Sequence, residues 1–449
     1  MISSRGTRGE VIRNLGSRGL SPGRRRPALR RWPMTRTLLT GNQAAAWGAR
    51  LSGMEYAPFF PITPQTEIME TISGWIERGE FSGRLVTLDS EHSMVTAAGA
   101  AAATGVRVFT ATSSQGLLHA MEMVYTVPGW RVPFVMVNVS RGVSSPITLE
   151  PDHNDIMAAR VSGCLQLHCS TCQEVLDAVL FSYRIAEHPH VRLPVLVNMD
   201  GFYLSFTREP VVIPDEASAA RFVGPFNPAN AHFTPSAPAS LGVVVLGGTP
   251  YSYFRYQAHL AAMNAMEIFH ETALEFEEAF GRKPVMLEEF RTEDAEIVFV
   301  MIGSFATKAK SAVDRLREDG WKVGLVRPCL IRPFPADAIA GALAGKKGVA
   351  VIDQNLGSGK GGILHGEILG ALYGRFDAPP MVTSYIGGLG GRDISVEEFR
   401  EMAVNTRNAA DSGIQPPARL LFTQSEMEAV RKMQAVALGS MEERREQDE

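Results

Sequence analysis

RLVTLDSEHSMVTAAGAAAATGVRVFTATSSQGLLHAMEMVYTVPGWRVPFVMVNVS, residues 84–140, holds the repeat from which the fold is read. Its first seven residues read as a strand, and the alanine-rich run at 91–105 reads as a helix. VRVFTATS is a strand again, QGLLHAMEMVYTV a helix, and VPFVMVNVS a third strand. That last strand is almost wholly apolar, as strands buried on both faces of a parallel sheet are. Alternation of this kind argues a parallel sheet with helices on both faces, an α/β fold.

The pattern extends in both directions. Upstream, residues 41–54 predict a helix and YAPFFPITP (56–64) a strand running into a loop. A second helix follows over 66–79, with Ile68, Ile72 and Ile76 at four-residue spacing. Downstream come a helix to Arg160, a strand over 164–169, a helix over 172–187 and the strand PVLVNMD. Six prolines at 210, 214, 225, 228, 235 and 238 predict an extended linker over 207–240, and residues 251–287 read as helical. A second α/β unit begins near Ala295. In it KVGLVRPCLIRPFP (322–335) reads as one strand leading into a loop. The expected division is an extension at 1–37, an α/β domain at 38–206, linker and helix at 207–290, a second α/β domain at 291–423 and a charged tail at 424–449.

A chain of 449 residues is long enough for two or three domains. With 45% apolar and 20% charged residues it has the composition of a globular protein. No run of about 18 uncharged apolar residues predicts a membrane helix. The net charge of −4 gives no reason to expect nucleic acid as a partner. That charge is uneven: residues 1–33 hold nine arginines and one acid, and the rest carries −12. A transit peptide or a start assigned upstream of Met34 accounts for this segment, and its lack of amphipathic periodicity favours the second. Four cysteines do not make a disulfide scaffold and fit a reduced, cytoplasmic setting.

Three polar groups stand where a parallel sheet presents ligands, at the carboxyl ends of strands. PITPQT (61–66) brings hydroxyls at Thr63 and Thr66, although a turn with a helix cap reads the same way. DSEHS (89–93) places Glu91 at a strand-to-helix junction, where the helix dipole stabilises any acid. NVSRG leaves Arg141 at the end of an apolar strand, suited to a carboxylate or phosphate, or simply to the surface.

Taken together and in order, GNQAAAWGA (41–49), FPITPQTEIMETI (60–72), SEHSMVTAAGAAAATGVRVFTATSSQGL (90–117), VMVNVSRG (135–142) and PDHND (151–155) resemble the alpha subunit of the pyruvate and related 2-oxoacid:ferredoxin oxidoreductases. Residues 302–335 resemble that family's second domain. The resemblance spans roughly residues 38–403. It implies a pyrimidine-type thiamine-diphosphate-binding domain followed by a transketolase C-terminal-like domain. It further implies oxidative decarboxylation of a 2-oxoacid to acyl-coenzyme A and carbon dioxide, with electrons passed to iron–sulfur clusters.

Residue by residue, the resemblance implies that Glu91 bonds N1′ of the aminopyrimidine. Pro61, Ile62 and Thr63 would line the cofactor, while Thr63 and Arg141 would hold the substrate's carboxylate and keto oxygen. No role is read for Asp152 and His153. A magnesium and pyrophosphate motif beginning GDG is absent from the sequence. The resemblance puts it on a beta subunit, and puts [4Fe–4S] clusters and coenzyme A functions on gamma- and delta-type subunits. A flavin or NAD subunit would be a further partner. Thr63 fits a simple 2-oxoacid such as pyruvate better than a dianionic one, with aromatic 2-oxoacids such as phenylglyoxylate next.

Two other patterns compete. Cys164, Cys169, Cys172 and Cys329 reproduce an iron–sulfur spacing, but an extended strand over 164–169 would turn alternate side chains apart. Gly357, Gly359 and Gly362 match a dinucleotide-binding pattern without the acid expected on a following strand. They raise a stand-alone nucleotide-binding dehydrogenase as a rival. A transketolase-like scaffold that has lost its chemistry is the other.

Overall fold

The computed structural model describes residues 35–228, 233–236 and 238–448. The arginine-rich segment therefore lies outside the described residues. In chain order the first part holds β1 (Thr35–Leu39), α1 (Gly41–Leu51), β2 (Tyr56–Phe59), α2 (Thr66–Glu77), β3 (Arg84–Thr87), α3 (Glu91–Ala103), β4 (Phe109–Thr112), α4 (Gln115–His119), α5 (Met121–Trp130) and β5 (Val135–Ser140). It continues with α6 (Asn154–Ala158), β6 (Leu165–His168), α7 (Cys172–Ala186), β7 (Val195–Asp200), β8 (Glu209–Ile213) and α8 (Glu216–Val223). The long α9 (Gly248–Phe280) leads to the second part: β9 (Leu287–Phe290), β10 (Ile297–Val300), α10 (Phe305–Glu318), β11 (Val323–Pro328), β12 (Leu330–Arg332), α11 (Ala336–Leu343), β13 (Gly348–Asp353), α12 (Ile363–Leu372), β14 (Met381–Ile386), α13 (Val396–Ser412), β15 (Arg419–Leu420) and α14 (Gln424–Asp448).

The first sheet runs β12-β6-β7-β5-β4, parallel except for β12, and a single bridge from Tyr56 to Val108 joins the parallel pair β2–β3 beside β4. Every residue of β5 and β7 is buried, which accounts for their mostly apolar spelling. The Ala-rich α3 packs closely on α5: a Cβ on Gly99 would lie 2.7 Å from Val127 and 3.0 Å from Trp130. The second sheet runs β15-β14-β13-β10-β11-β9, parallel except for β9.

Three expectations change. Residues 209–223, expected within an extended linker, form β8 and α8, and β8 pairs antiparallel with β1. Pro210 is tolerated because β8 is an edge strand, and Pro214 and Pro225 lie just beyond β8 and α8. That pairing also draws Thr35, Arg36 and Thr37 into a strand, although they were assigned to the extension. Finally, KVGLVRPCLIRPFP is not one strand. It is cut after Pro328, and β12 leaves the second sheet to join β6 of the first.

Candidate functional site

Arg141 follows β5 and is 5% exposed. Its Nε donates to the backbone oxygen of Thr63 at 2.8 Å and its Nη1 to Gln115 Oε1 at 3.0 Å. Among the described residues Nη2 bonds nothing. Burial, opposed by the field of Asp155, holds its pKa below that of an ordinary arginine. The guanidinium stays charged at neutral pH all the same.

Thr63 lies in the loop between β2 and α2, exposed, and its peptide bond to Pro64 is cis. The loop is held from below. Asn42 Nδ2 donates to the Pro64 oxygen at 2.8 Å, and Gln65 Nε2 to the Phe60 oxygen at 2.9 Å. Pro61 is exposed and Ile62 half-buried, and no hydrogen bond joins either to Glu91 or Arg141.

Glu91 is the first residue of α3, behind a Ser90 cap that accepts from the Ser93 N–H. It is 4% exposed, with Oε2 3.2 Å from His119 Nδ1. It does not bond Arg141 or Thr63 directly. The link runs through the turn at 113–116. Gln115 reaches the arginine, and next to it Gly116 sits against the glutamate. A Cβ on Gly116 would lie 2.5 Å from Glu91 Oε1 and 2.4 Å from Thr112 Oγ1, so only glycine fits against these two side chains. Three buried polar atoms of this stretch, Thr112 Oγ1, Ser113 Oγ and Gln115 Nε2, find no partner among the described residues. Buried polar groups are nearly always bonded, so three atoms left this way in one stretch beside Glu91 suit a polar ligand.

The structure thus gathers Glu91, Thr63 and Arg141 on one face, and adds Thr112, Gln115, Gly116 and His119, which sequence reasoning passed over. The one available signal was QG shortly after a strand end, where backbone approaches ligands. Asp152 is half-buried and accepts from the Asn154 N–H at 2.7 Å. His153 is fully buried, with Nε2 2.6 Å from Asp200 Oδ1, and Asp200 in turn accepts from the Ser304 N–H at 2.7 Å. Burial opposes a charge on His153, but Asp200 raises its pKa overall, and Asp200 itself is held below the usual range. This pair joins the two sheets rather than facing the site.

The competing patterns resolve into structure. Cys164 lies in a different core cluster from Cys169 and Cys172. Burial pushes Cys164 and Cys329 up to about 12 and raises the other two thiols as well, so these are not the thiolates that metal binding requires. Among the described residues no group of three His, Cys, Asp or Glu side chains converges on a metal position. In the glycine-rich loop, Asp353 takes the N-terminus of α12, accepting from the Leu364 N–H at 2.7 Å and the His365 N–H at 3.1 Å. A phosphate would have to displace that carboxylate. Among the described residues no helix is long and apolar enough to cross a membrane.

The chain matches known proteins over most of its length. The family model for pyruvate flavodoxin/ferredoxin oxidoreductase, thiamine diphosphate-binding, matches residues 48–279, and that for pyruvate:ferredoxin oxidoreductase core domain II matches residues 295–399. The chain is 38% identical over 378 residues to the pyruvate synthase subunit PorA of Pyrococcus abyssi, covering 84% of this chain and 95% of the relative. It is 40% identical over 375 residues to the PorA subunit of Methanothermobacter thermautotrophicus, covering 84% and 96%. In fold it is similar to the 2-oxoglutarate:ferredoxin oxidoreductase of Magnetococcus marinus, with a TM-score of 0.62 at 19% identity over 82% of this chain and 65% of that one.

Proposed function

The chain belongs to the pyruvate flavodoxin/ferredoxin oxidoreductase family, and from that premise we propose that it is the alpha subunit of a multi-subunit enzyme that oxidatively decarboxylates pyruvate to acetyl-coenzyme A. The observation that carries the reading is the set Thr63–Arg141–Gln115–Gly116–Glu91, one connected patch with a free guanidinium edge.

The residues fit thiamine diphosphate: the buried Glu91 carboxylate packs against Gly116, and orphaned polar atoms line the same turn. When bound, that cofactor supplies a nucleophilic carbon and an electron sink for the 2-oxo carbon. Glu91 would hold the aminopyrimidine, its carboxyl keeping a proton on N1′. The Arg141 Nη2 edge meets the carboxylate of the oxoacid, and the charge-assisted bond fixes its orientation. Thr63 offers its hydroxyl to the keto oxygen, and its exposure leaves room for a small substituent beyond it. An arginine already anchored by Thr63 and Gln115 needs little reordering on binding, which favours a productive pose.

Thr63, Pro61 and His119 are exposed in the chain by itself, so this is half a site. A beta subunit would bring the magnesium and pyrophosphate motif and exclude water. Gamma- and delta-type subunits would carry the [4Fe–4S] clusters and coenzyme A functions, and a flavin subunit would extend the path to NAD.

The test is dye reduction by the complex purified through this subunit, with pyruvate or phenylglyoxylate and with coenzyme A or thiamine diphosphate omitted in turn. Pyruvate-dependent reduction lost without the cofactor is expected, and Glu91→Gln should slow it by about 10²–10⁴-fold. A variant as active as the natural complex, or a chain that purifies alone and inactive, would return the scaffold reading to first place.

A further inference from the structure

We propose that Asp155, which lies outside the patch, is the positioning residue of Arg141 and acts through the Ser114 peptide. The Gly116 N–H donates to the Ser113 oxygen at 2.8 Å, closing a turn over residues 113–116. Ser114, its first central residue, has φ 46° and ψ −114°. Those angles belong to the glycine position of a type II′ turn. A serine held there is strained and stays only where its surroundings over-determine it.

Asp155 supplies that constraint. Fully buried on α6, its Oδ2 accepts from the Ser114 N–H at 3.0 Å. The carboxylate is itself fixed by Asn138 Nδ2 at 3.0 Å, Ser140 Oγ at 2.6 Å and the Ile156 N–H at 2.7 Å. Ser114 Oγ in turn donates to the Gly142 oxygen at 3.0 Å, tying the turn to the residue after the arginine. One step along the chain, Gln115 meets Arg141, and one further, Gly116 leaves space for Glu91. A bond to a charged acceptor is about twice as strong as a neutral one. An asparagine in its place would turn an NH₂ group toward either the Ser114 or the Ile156 N–H. Either way the Ser114 N–H keeps a neutral acceptor at best, so the fold keeps its core while the strained turn is held less firmly and the arginine's second support weakens.

For its readout the inference rests on the oxoacid reading above. The experiment uses the purified complex carrying Asp155→Asn, Ser114→Gly or both, scored on the KM and kcat of whichever oxoacid the natural complex turns over and on the unfolding midpoint. A natural complex without pyruvate-dependent activity counts against the proposed function, and the inference is still judged on the variants. With Asp155→Asn, KM should rise about tenfold or more while kcat changes less. The midpoint should stay within about 2 °C. Adding Ser114→Gly should return KM to within about threefold, because glycine adopts these angles without a carboxylate to hold it. An unchanged KM in Asp155→Asn overturns the inference. So does a defect, including failure to assemble, that Ser114→Gly does not repair.

Discussion

Gly116 shows how much chemistry depends on a missing side chain. A methyl group there would meet Glu91 Oε1 and Thr112 Oγ1 well inside contact distance, and the glutamate would have to move. Gly116→Ala should cost the complex about 100-fold in activity. Gly129→Ala, in α5 with nothing within 4 Å of the new atom, should leave activity unchanged and stabilise by about 0.5–1 kcal/mol. Parallel dye-reduction and denaturation measurements on the two variants check this, and equal activities would mean that Glu91 does not need its present place. At this scale the placement of Glu91, Thr63 and Arg141 just beyond strand ends was legible in the sequence. Gln115 and Asp155 were not, because their meaning lies in contacts to residues 26 and 41 positions away.

At the scale of elements, α12 answers for the glycine-rich loop. Asp353, 1% exposed, caps that helix, and a Cβ on Gly362 would collide with its carboxylate. Burial raises the Asp353 pKa from 3.8 to about 6. Between those values the folded chain binds more protons than the unfolded one, so stability falls as pH rises from 4 to 6 and is level above. Asp353→Asn does not titrate. Its stability relative to the natural chain should therefore climb by about 3 kcal/mol across that window and then hold constant. Denaturant unfolding of both proteins from pH 4 to 8 measures it, and parallel curves would refute it. The GxGxxG spacing was visible in sequence, but the carboxylate that occupies the helix end was not. Asp353 lies 11 residues before the N–H it accepts.

For the whole molecule, the decisive feature is the seam between the sheets. β12 crosses from the second α/β unit into the first sheet, and Arg327 beside it, 2% exposed, bonds Glu174 of α7 and Glu288 of β9, each at 2.7 Å. His153, Asp200 and Ser304 make a second buried junction. Arg327→Met would leave Glu174 without its cation at the seam and Glu288 with Lys310 alone. It should cost about 3 kcal/mol, the lower end for a broken buried pair, since both acids keep some access to water. A drop in the denaturation midpoint checks this, and an unchanged midpoint would show that β12 and the histidine pair suffice.

The division between what was readable and what was not follows the range of the forces. The βαβ alternation, the buried parallel strands and the order of polar strand ends were set by local periodicity and burial, and the sequence determined them alone. Residues 209–223 of the expected linker over 207–240 were misread because prolines report local breaks, whereas the pairing of β8 with β1 joins residues far apart in the chain. Likewise, nothing local distinguishes β12 from a continuation of β11. Only the packed structure decides that Leu330 pairs with Leu167, that Asp155 reaches Ser114, and that an arginine and a glutamate 50 positions apart in the chain share one turn. Such contacts depend on loops closed by the packing of the whole core, and no window of sequence contains that packing.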